Sequence, residues 1–304
     1  TCTVTGMSDR KSRNVIRKAK KNNPDSFVIV VGCYAQTSPE EVESIPGVNM
    51  VVGTKDKGKI LEFLEEIKAG SSKKNYVDDI KGFKEFEKLD LTSYKDRTRA
   101  ILKIQDGCNN YCSYCIIPYA RGPIRSRNKE DVINEVKGLA QNGFKEIVLT
   151  GIHLASYGKD IGSSLLEIIK DIHEFEGIER IRLGSIEPKL VNEEFVESIK
   201  RLNKLCPHFH ISLQSGCDET LRRMNRKYTT GEYADIVKLL RDNIPDVSIT
   251  TDIMVGFPGE TDAEFNETLE FLKEIALTKM HVFKYSPRKG TLAATFKNQV
   301  LPEK

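Results

Sequence analysis

Two kinds of apolar pattern alternate along this chain. Residues 8–22 read as a helix capped by Ser8, and Phe27 to Val31 is a short β-rich run of the kind found in buried parallel strands. Ser38-Pro39-Glu40-Glu41 opens a further helix, a strand is expected near Met50 to Val52, and a helix from about Lys57 to Ala69. This alternation predicts an open α/β domain over residues 1–75, with ligands beyond the carboxyl ends of its strands. The polar stretch from Gly70 to Arg97 has little periodicity, so 76–98 reads as a linker. Strands are then expected near Ala100 to Ile104, Glu146 to Thr150, Arg180 to Leu183, His208 to Leu213, Ser248 to Ile253 and His281 to Phe283. Helical stretches lie between them, at Lys129 to Gln141, Leu165 to His173, Glu193 to Leu202, Gly231 to Arg241 and Ala263 to Ile275. Crossover helices force parallel pairing, so 99–304 is expected to form a partial (β/α)6 barrel of the TIM type.

Composition keeps this picture and narrows it. With 39% hydrophobic and 30% charged residues, and no apolar run near the roughly 20 residues of a membrane span, the chain has a globular make-up. It carries no secretory signal and opens on Thr1, so it reads as an internal piece of a cytoplasmic protein with no membrane partner. Seven cysteines, an odd number, argue for reduced thiols rather than a secreted disulfide framework. The net charge of +3 implies no polyanion by itself. Basic residues are nevertheless clustered at Arg10 to Lys21, at Arg121, Arg125 and Arg127, and at Arg222 to Lys227. Each cluster suits a nucleic-acid backbone or a solvated face, and the two readings stand level at this point.

The chemistry concentrates in Cys108, Cys112 and Cys115, spaced C-x3-C-x2-C with Tyr114 before the last. An iron–sulfur cube has four irons, so three thiolates hold it and leave one iron open to a substrate or cofactor. A structural zinc site is the main alternative, but zinc prefers paired C-x2-C knuckles and four closed ligands, and no fourth cysteine or histidine is near in sequence. The triplet follows the first barrel strand, on the face where such barrels keep their active sites.

This spacing, with Tyr114 in its place, resembles the signature of radical S-adenosylmethionine enzymes. In that family the open iron chelates the amino and carboxylate groups of S-adenosylmethionine, and one electron cleaves the sulfonium to give a 5′-deoxyadenosyl radical. The continuation Cys115-Ile116-Ile117-Pro118-Tyr119-Ala120-Arg121-Gly122-Pro123-Ile124-Arg125-Ser126-Arg127 is similar to the methylthiotransferases. So are Leu183-Gly184-Ser185-Ile186-Glu187-Pro188, Leu213-Gln214-Ser215-Gly216-Cys217, Gly256-Phe257-Pro258-Gly259-Glu260-Thr261 and Tyr285-Ser286-Pro287-Arg288-Lys289-Gly290-Thr291. The likeness runs through the whole chain, including Thr1-Cys2-Thr3-Val4-Thr5 and Gly32-Cys33-Tyr34-Ala35-Gln36. Leu149-Thr150-Gly151-Ile152-His153 with Tyr157-Gly158, Gln214-Ser215-Gly216-Cys217, and Asn225-Arg226-Lys227-Tyr228-Thr229-Thr230 are most similar to one branch. That branch acts on N6-threonylcarbamoyladenosine at position 37 of tRNA. Sister branches modify isopentenyladenosine in tRNA or an aspartate of a ribosomal protein on the same scaffold.

The resemblance implies methylthiolation of the adenine at C2, two [4Fe-4S] clusters, S-adenosylmethionine, an electron donor and a tRNA partner. It implies that Cys108, Cys112 and Cys115 hold the radical cluster and that Cys2 and Cys33 hold an auxiliary one, its third ligand expected upstream of Thr1. An RNA-binding TRAM domain is expected beyond Lys304. Under this reading Arg121, Arg125 and Arg127 hold tRNA phosphates. Expected cofactor contacts are Tyr114, Ser185, Glu187, Gln214, Asp252 and Gly256.

Some readings need no family. Strand alternation puts His208, His210, Ser212 and Gln214 on one face, toward the barrel mouth, and Phe209, Ile211 and Leu213 toward the helices. A buried, hydrogen-bonded histidine is the plain alternative for either His. For Ser185 and Asp252 it is a helix cap, and for the Gly256 segment a simple turn. Cys206 and Cys217 read as small buried hydrophobes rather than ligands. A non-catalytic iron–sulfur RNA-binding module is the competing reading of the whole chain.

Overall fold

The computed structural model describes residues 1–88 and 98–301. It falls into two compact units, one of residues 1–88, Gly107–Pro123 and Ser286–Ala294, the other of residues 98–106, Ile124–Tyr285 and 295–301.

In the first unit, β1 (Val28–Val31), β2 (Val48–Val52) and β3 (Asn75–Tyr76) form a parallel sheet in that order. Helices α1 (Gly6–Asn22), α2 (Cys33–Thr37), α3 (Pro39–Glu43), α4 (Ile60–Lys68) and α5 (Ile117–Arg121) accompany it. The expected cap of α1 moves upstream, because the Thr5 side chain accepts from the Ser8 backbone N–H. Val30, Tyr34, Ala35, Val42 and Val51 pack with Ile16 of α1 into one core. The boundary expected at 75 falls inside this unit. Tyr76 stacks on Phe63, Ile80 is buried, and Gln36 Nε2 donates to the Asp78 carbonyl at 2.8 Å. The packing of 76–88 on the first unit therefore differs from the expected linker, whose remainder, 89–97, lies outside the described residues.

The second unit is the expected half-barrel. Its strands are β4 (Arg99–Asp106), β5 (Arg125–Ser126), β6 (Glu146–Gly151), β7 (Arg180–Leu183), β8 (His208–His210), β9 (Ser248–Val255) and β10 (Lys279–Lys284). One sheet runs β5-β4-β6-β7 and another β10-β9-β8, and the parallel bridges Ile181 to Leu205 and Ile186 to Ile211 carry the curl from one to the other. All pairings are parallel except that of the short β5 with β4. Helices α6 (Lys129–Gln141), α7 (Leu165–His173), α8 (Glu193–Ile199), α9 (Asp218–Arg223), α10 (Thr230–Asn243) and α11 (Asp262–Ile275) fall between strands as crossovers. Their starts are written locally, with complete capping boxes Thr229/Glu232 on α10 and Thr261/Glu264 on α11. Ala100, Leu102, Ile147, Leu149, Ile181, Phe209, Ile211 and Ile249 share one core with Val132, Val136, Ile168, Ile169, Val237 and Leu240 of the helices. Each fully buried aliphatic side chain there contributes about 1.5–3 kcal/mol relative to exposure. The opposite sheet face is thereby left to His208, His210, Thr250 and Asp252.

Candidate active site and its cysteine loop

The loop carrying Cys108, Cys112 and Cys115 leaves the carboxyl end of β4 and returns at β5, and it belongs to the first unit rather than to the barrel. Its neck is closed by the Cys108 N–H donating to the Gly122 carbonyl at 3.1 Å. Further along, the Ala293 N–H donates to the Ser113 carbonyl at 2.7 Å, and Thr54 Oγ1 donates to the Ala120 carbonyl at 2.6 Å. Inside it the Cys115 N–H donates to the Cys112 carbonyl at 2.9 Å, and the Asn110 N–H approaches Cys108 Sγ at 3.5 Å. Tyr111, at φ +45°, turns the chain between the first two cysteines and meets Tyr119 edge-on. All three thiols are half-buried, and no cysteine among the described residues is in a disulfide. Three reduced sulfurs on one short, tied loop fit a cube with an open iron.

Cys33, buried, opens α2 just past β1, and its N–H donates to the Thr1 carbonyl at 3.2 Å, which brings the exposed Cys2 to the same strand end. Arg121 Nε donates to Cys33 Sγ at 3.1 Å. A guanidinium on the sulfur suits a thiol that serves as a thiolate ligand. Cys2 and Cys33 therefore lie at the carboxyl end of β1.

Arg125 and Arg127 require correction as phosphate ligands. Both are buried, Arg125 at 2% and Arg127 at 4% exposure. Arg125 Nη2 lies 3.7 Å from Asp106 Oδ2, and Arg127 is paired with Glu135 and donates to the Asp131 carbonyl. A buried guanidinium needs its carboxylate, so these charges are spent on holding β5 against the barrel. Tyr157 Oη donates to the Arg127 carbonyl, and burial pushes its hydroxyl up to about 12. Arg121 is engaged at Cys33, as above.

The remaining expected contacts lie in the second unit apart from Tyr114, which sits half-buried in the cysteine loop. Ser185 is exposed just past β7. Glu187 faces His153, whose Nε2 lies 3.0 Å from Glu187 Oε2. The His153 ring also meets Ser156, and the His153 backbone N–H donates to Gln105 Oε1 at 2.7 Å. Gln214, at φ +74°, exchanges backbone hydrogen bonds with β9 through the Asp252 carbonyl and the Met254 N–H. Its side-chain oxygen is buried without a hydrogen-bond partner, an acceptor held ready for a ligand donor. That orphaned oxygen, beside a strained backbone, fits a polar cofactor such as S-adenosylmethionine. Neither Ser185 nor Asp252 caps a helix; Asp252 lies between His210 and His281 instead. His208 has its Nδ1 buried without a partner, and burial pushes its imidazole down, helped by the Arg182 charge. Cys206 and Cys217 are buried as expected, and burial pushes the Cys217 thiol up.

Gly256 takes φ +73° at the end of β9, and its N–H and that of Phe257 both donate to Glu260. Burial raises the Glu260 carboxyl against those two donors. Next to this turn Arg223 grips Glu264 bidentately, both bonds 2.8 Å, which lowers the Glu264 carboxyl and raises the guanidinium. Glu264→Gln is expected to cost about 1–3 kcal/mol near neutral pH, read from urea unfolding midpoints. Because the folded carboxyl is depressed below 4.5, this stabilisation is present above 4.5 and is lost as pH falls through the lowered value. The gap between wild type and variant closes in that acid window, and a pH-independent gap would refute the ionic origin. His153, Glu260 and His281 were not marked from sequence as site residues; alternation along 279–283 was the available signal for His281.

Comparison with known proteins gives two family matches. The radical SAM superfamily matches residues 102–272, and the family described as uncharacterized protein family UPF0004 matches residues 1–53. The chain is 47% identical over 302 residues to the threonylcarbamoyladenosine tRNA methylthiotransferase MtaB of Bacillus subtilis (strain 168), covering 99% of this chain and 67% of that one. It is 39% identical over 309 residues to the tRNA-2-methylthio-N(6)-dimethylallyladenosine synthase of Clostridium novyi (strain NT), covering 99% and 68%. Among solved structures, the radical S-adenosylmethionine methyltransferase TsrM from Kitasatospora setae, with cobalamin and a [4Fe-4S] cluster bound, shares the fold. Its TM-score is 0.71 at 17% identity, over 94% of this chain and 64% of that one.

Proposed function

Because this chain belongs to the radical S-adenosylmethionine methylthiotransferase family, we propose that it places a methylthio group on C2 of N6-threonylcarbamoyladenosine at position 37 of tRNA. The observation that carries this choice is its greater similarity to the threonylcarbamoyladenosine relative than to the dimethylallyladenosine one.

Cys108, Cys112 and Cys115 would hold the first [4Fe-4S] cluster as thiolates, a set of three that leaves one coordination position for the cofactor, and Cys2 and Cys33 would contribute two ligands to a second. When bound, cluster and S-adenosylmethionine supply one-electron chemistry and the transferable methyl group. Gln214 accepts a hydrogen bond from the cofactor through its orphaned oxygen. Glu187, oriented by His153, accepts from a ribose hydroxyl or the amine. Gly256 presents a side-chain-free turn, with Glu260 holding its backbone N–H in place. Tyr114, Ser185 and Asp252 are the remaining expected contacts. Phosphate binding passes from Arg125 and Arg127 to the exposed Arg10, Lys11, Arg17 and Lys18 of α1. The one-electron chemistry of such a cluster would call for an external electron donor. No helix among the described residues is long and apolar enough to cross a membrane. A tRNA substrate supports a cytoplasmic setting for the reaction.

Mass spectrometry of tRNA nucleosides from a strain lacking the gene tests the substrate. Threonylcarbamoyladenosine is expected to accumulate at the expense of its methylthio form, with methylthio-isopentenyladenosine unchanged. Loss of the latter instead would move the chain to the sister branch, and an unchanged profile would refute both.

A further inference from the structure

On the half-barrel sheet face opposite the helix-packed core, three adjacent parallel strands converge one side chain each. His210 comes from β8, Asp252 from β9 and His281 from β10. The register sets Asp252 level with His281 and His210 level with Thr250, so the two rings flank the carboxylate. We propose that His210, Asp252 and His281 form a binding site for a divalent transition-metal ion of the zinc class. This inference does not rest on the proposed function.

Distances favour it. His210 Nε2 lies 3.2 Å from Asp252 Oδ2, and His281 Nδ1 lies 3.4 Å from Asp252 Oδ1. One ligand atom from each residue lies within 4.8 Å of the other two. Two ligands bound at about 2.1 Å to a tetrahedral zinc stand roughly 3.4 Å apart, so each histidine already stands at ligand spacing from the carboxylate, and a small inward turn of the rings would complete the set.

The chemistry of the donors agrees. Thr250 Oγ1 lies 3.0 Å from His210 Nδ1 and fixes that ring in its plane, as outer partners of metal-bound histidines do. If the hydroxyl oxygen accepts, the proton sits on Nδ1, and the Nε2 lone pair then points at a carboxylate. Something positive has to stand between them, either a proton or a metal ion. The rings are near parallel, 26° apart with centroids at 5.8 Å, which lets both edges address one point. His281 is 57% exposed, so an ion can enter and keeps at least one position for water or an oxygen-bearing ligand. Two imidazoles with one carboxylate select zinc, iron(II) or cobalt over magnesium or calcium, which want oxygen alone.

The test counts metal on the cluster-loaded protein. After anaerobic reconstitution and desalting, wild type, His281→Ala and Asp252→Asn are dialysed against buffered low-micromolar zinc, and zinc and iron are measured by plasma mass spectrometry. Comparing variants cancels zinc held by cysteines. Wild type is expected to hold one more zinc per chain than either variant at equal iron, with affinity at the site at least about 100-fold weaker in the variants. His281 lies exposed on the edge strand, so His281→Ala keeps the fold, and unchanged iron and circular dichroism verify this. Equal zinc in all three proteins would overturn the proposal, leaving a proton-bridged ion pair. X-ray absorption gives the second reading: the additional zinc shows imidazole nitrogens, and a purely sulfur shell would overturn the assignment as well.

Discussion

Cys112→Ala is expected to abolish reductive cleavage of S-adenosylmethionine, lowering 5′-deoxyadenosine formation by more than about a thousandfold, while both units stay folded. The physical ground is the ligand count. Three thiolates already leave one iron without a protein ligand, and two cannot retain the cube with that iron aimed at the cofactor. The fold has little stake in this side chain. Cys112 is half-buried, and its structural bond, the carbonyl accepting from the Cys115 N–H at 2.9 Å, is made by backbone that alanine keeps. The loop is closed at its neck by the bond to Gly122 and held from outside by Ala293 and Thr54. The measurement is anaerobic reconstitution, iron counting, circular dichroism and chromatography of 5′-deoxyadenosine. A module in which clusters only organise an RNA-binding surface behaves differently: the variant loses fold and RNA affinity together, and the cluster-loaded wild type makes no 5′-deoxyadenosine. That second outcome would sink the enzyme reading.

What could be read from sequence follows the range of the interactions. The half-barrel was legible because its strands bury one face against amphipathic helices, so Ala100, Leu102 and Ile104, or Phe209, Ile211 and Leu213, show their period directly. The starts of α10 and α11, expected at Gly231 and Ala263, fall one residue earlier at Thr230 and Asp262, where the capping boxes of Thr229 and Thr261 set them. The cysteine triplet was legible because its ligands sit on one short loop. Arg125 and Arg127 misled because a basic residue after a conspicuous loop looks solvent-facing, and its partner is not marked in sequence. Asp106 lies on the preceding strand and Glu135 on the following helix, at spacings that fit no helical pairing rule. Residues 76–88 looked like a linker because polar bonds fasten much of the segment, Gln36 to Asp78 and Lys57 to Glu87, and its buried apolar anchors, Tyr76 and Ile80, follow no helical or strand period. The His210, Asp252 and His281 group is three isolated letters until parallel registration lines them up.

The same distinction decides a second large effect, at the neck of the cysteine loop. Gly107 is buried with φ +73°, where a side chain is strained in any surroundings, and an added Cβ would lie 1.8 Å from the Pro123 carbonyl oxygen and 2.5 Å from its carbon. Neither obstacle is the far end of a flexible side chain. Relief requires opening the neck, which breaks the bond from the Cys108 N–H to the Gly122 carbonyl and moves the first of the three thiols. Gly107→Ala is therefore expected to cost more than about 3 kcal/mol locally and to empty the loop of its cluster, with loss of 5′-deoxyadenosine formation. Gly70→Ala is the matched comparison. Its φ is +99° but nothing lies within 4 Å of the added Cβ, so backbone strain of about 1–2 kcal/mol is all it pays, and iron binding persists. Iron per chain and urea midpoints measured on both variants separate steric closure of the neck from backbone strain alone. Full iron and wild-type 5′-deoxyadenosine formation in Gly107→Ala would show that the thiols do not depend on this closure. The three sulfurs would then have to be organised by the cluster itself rather than by the chain that receives it.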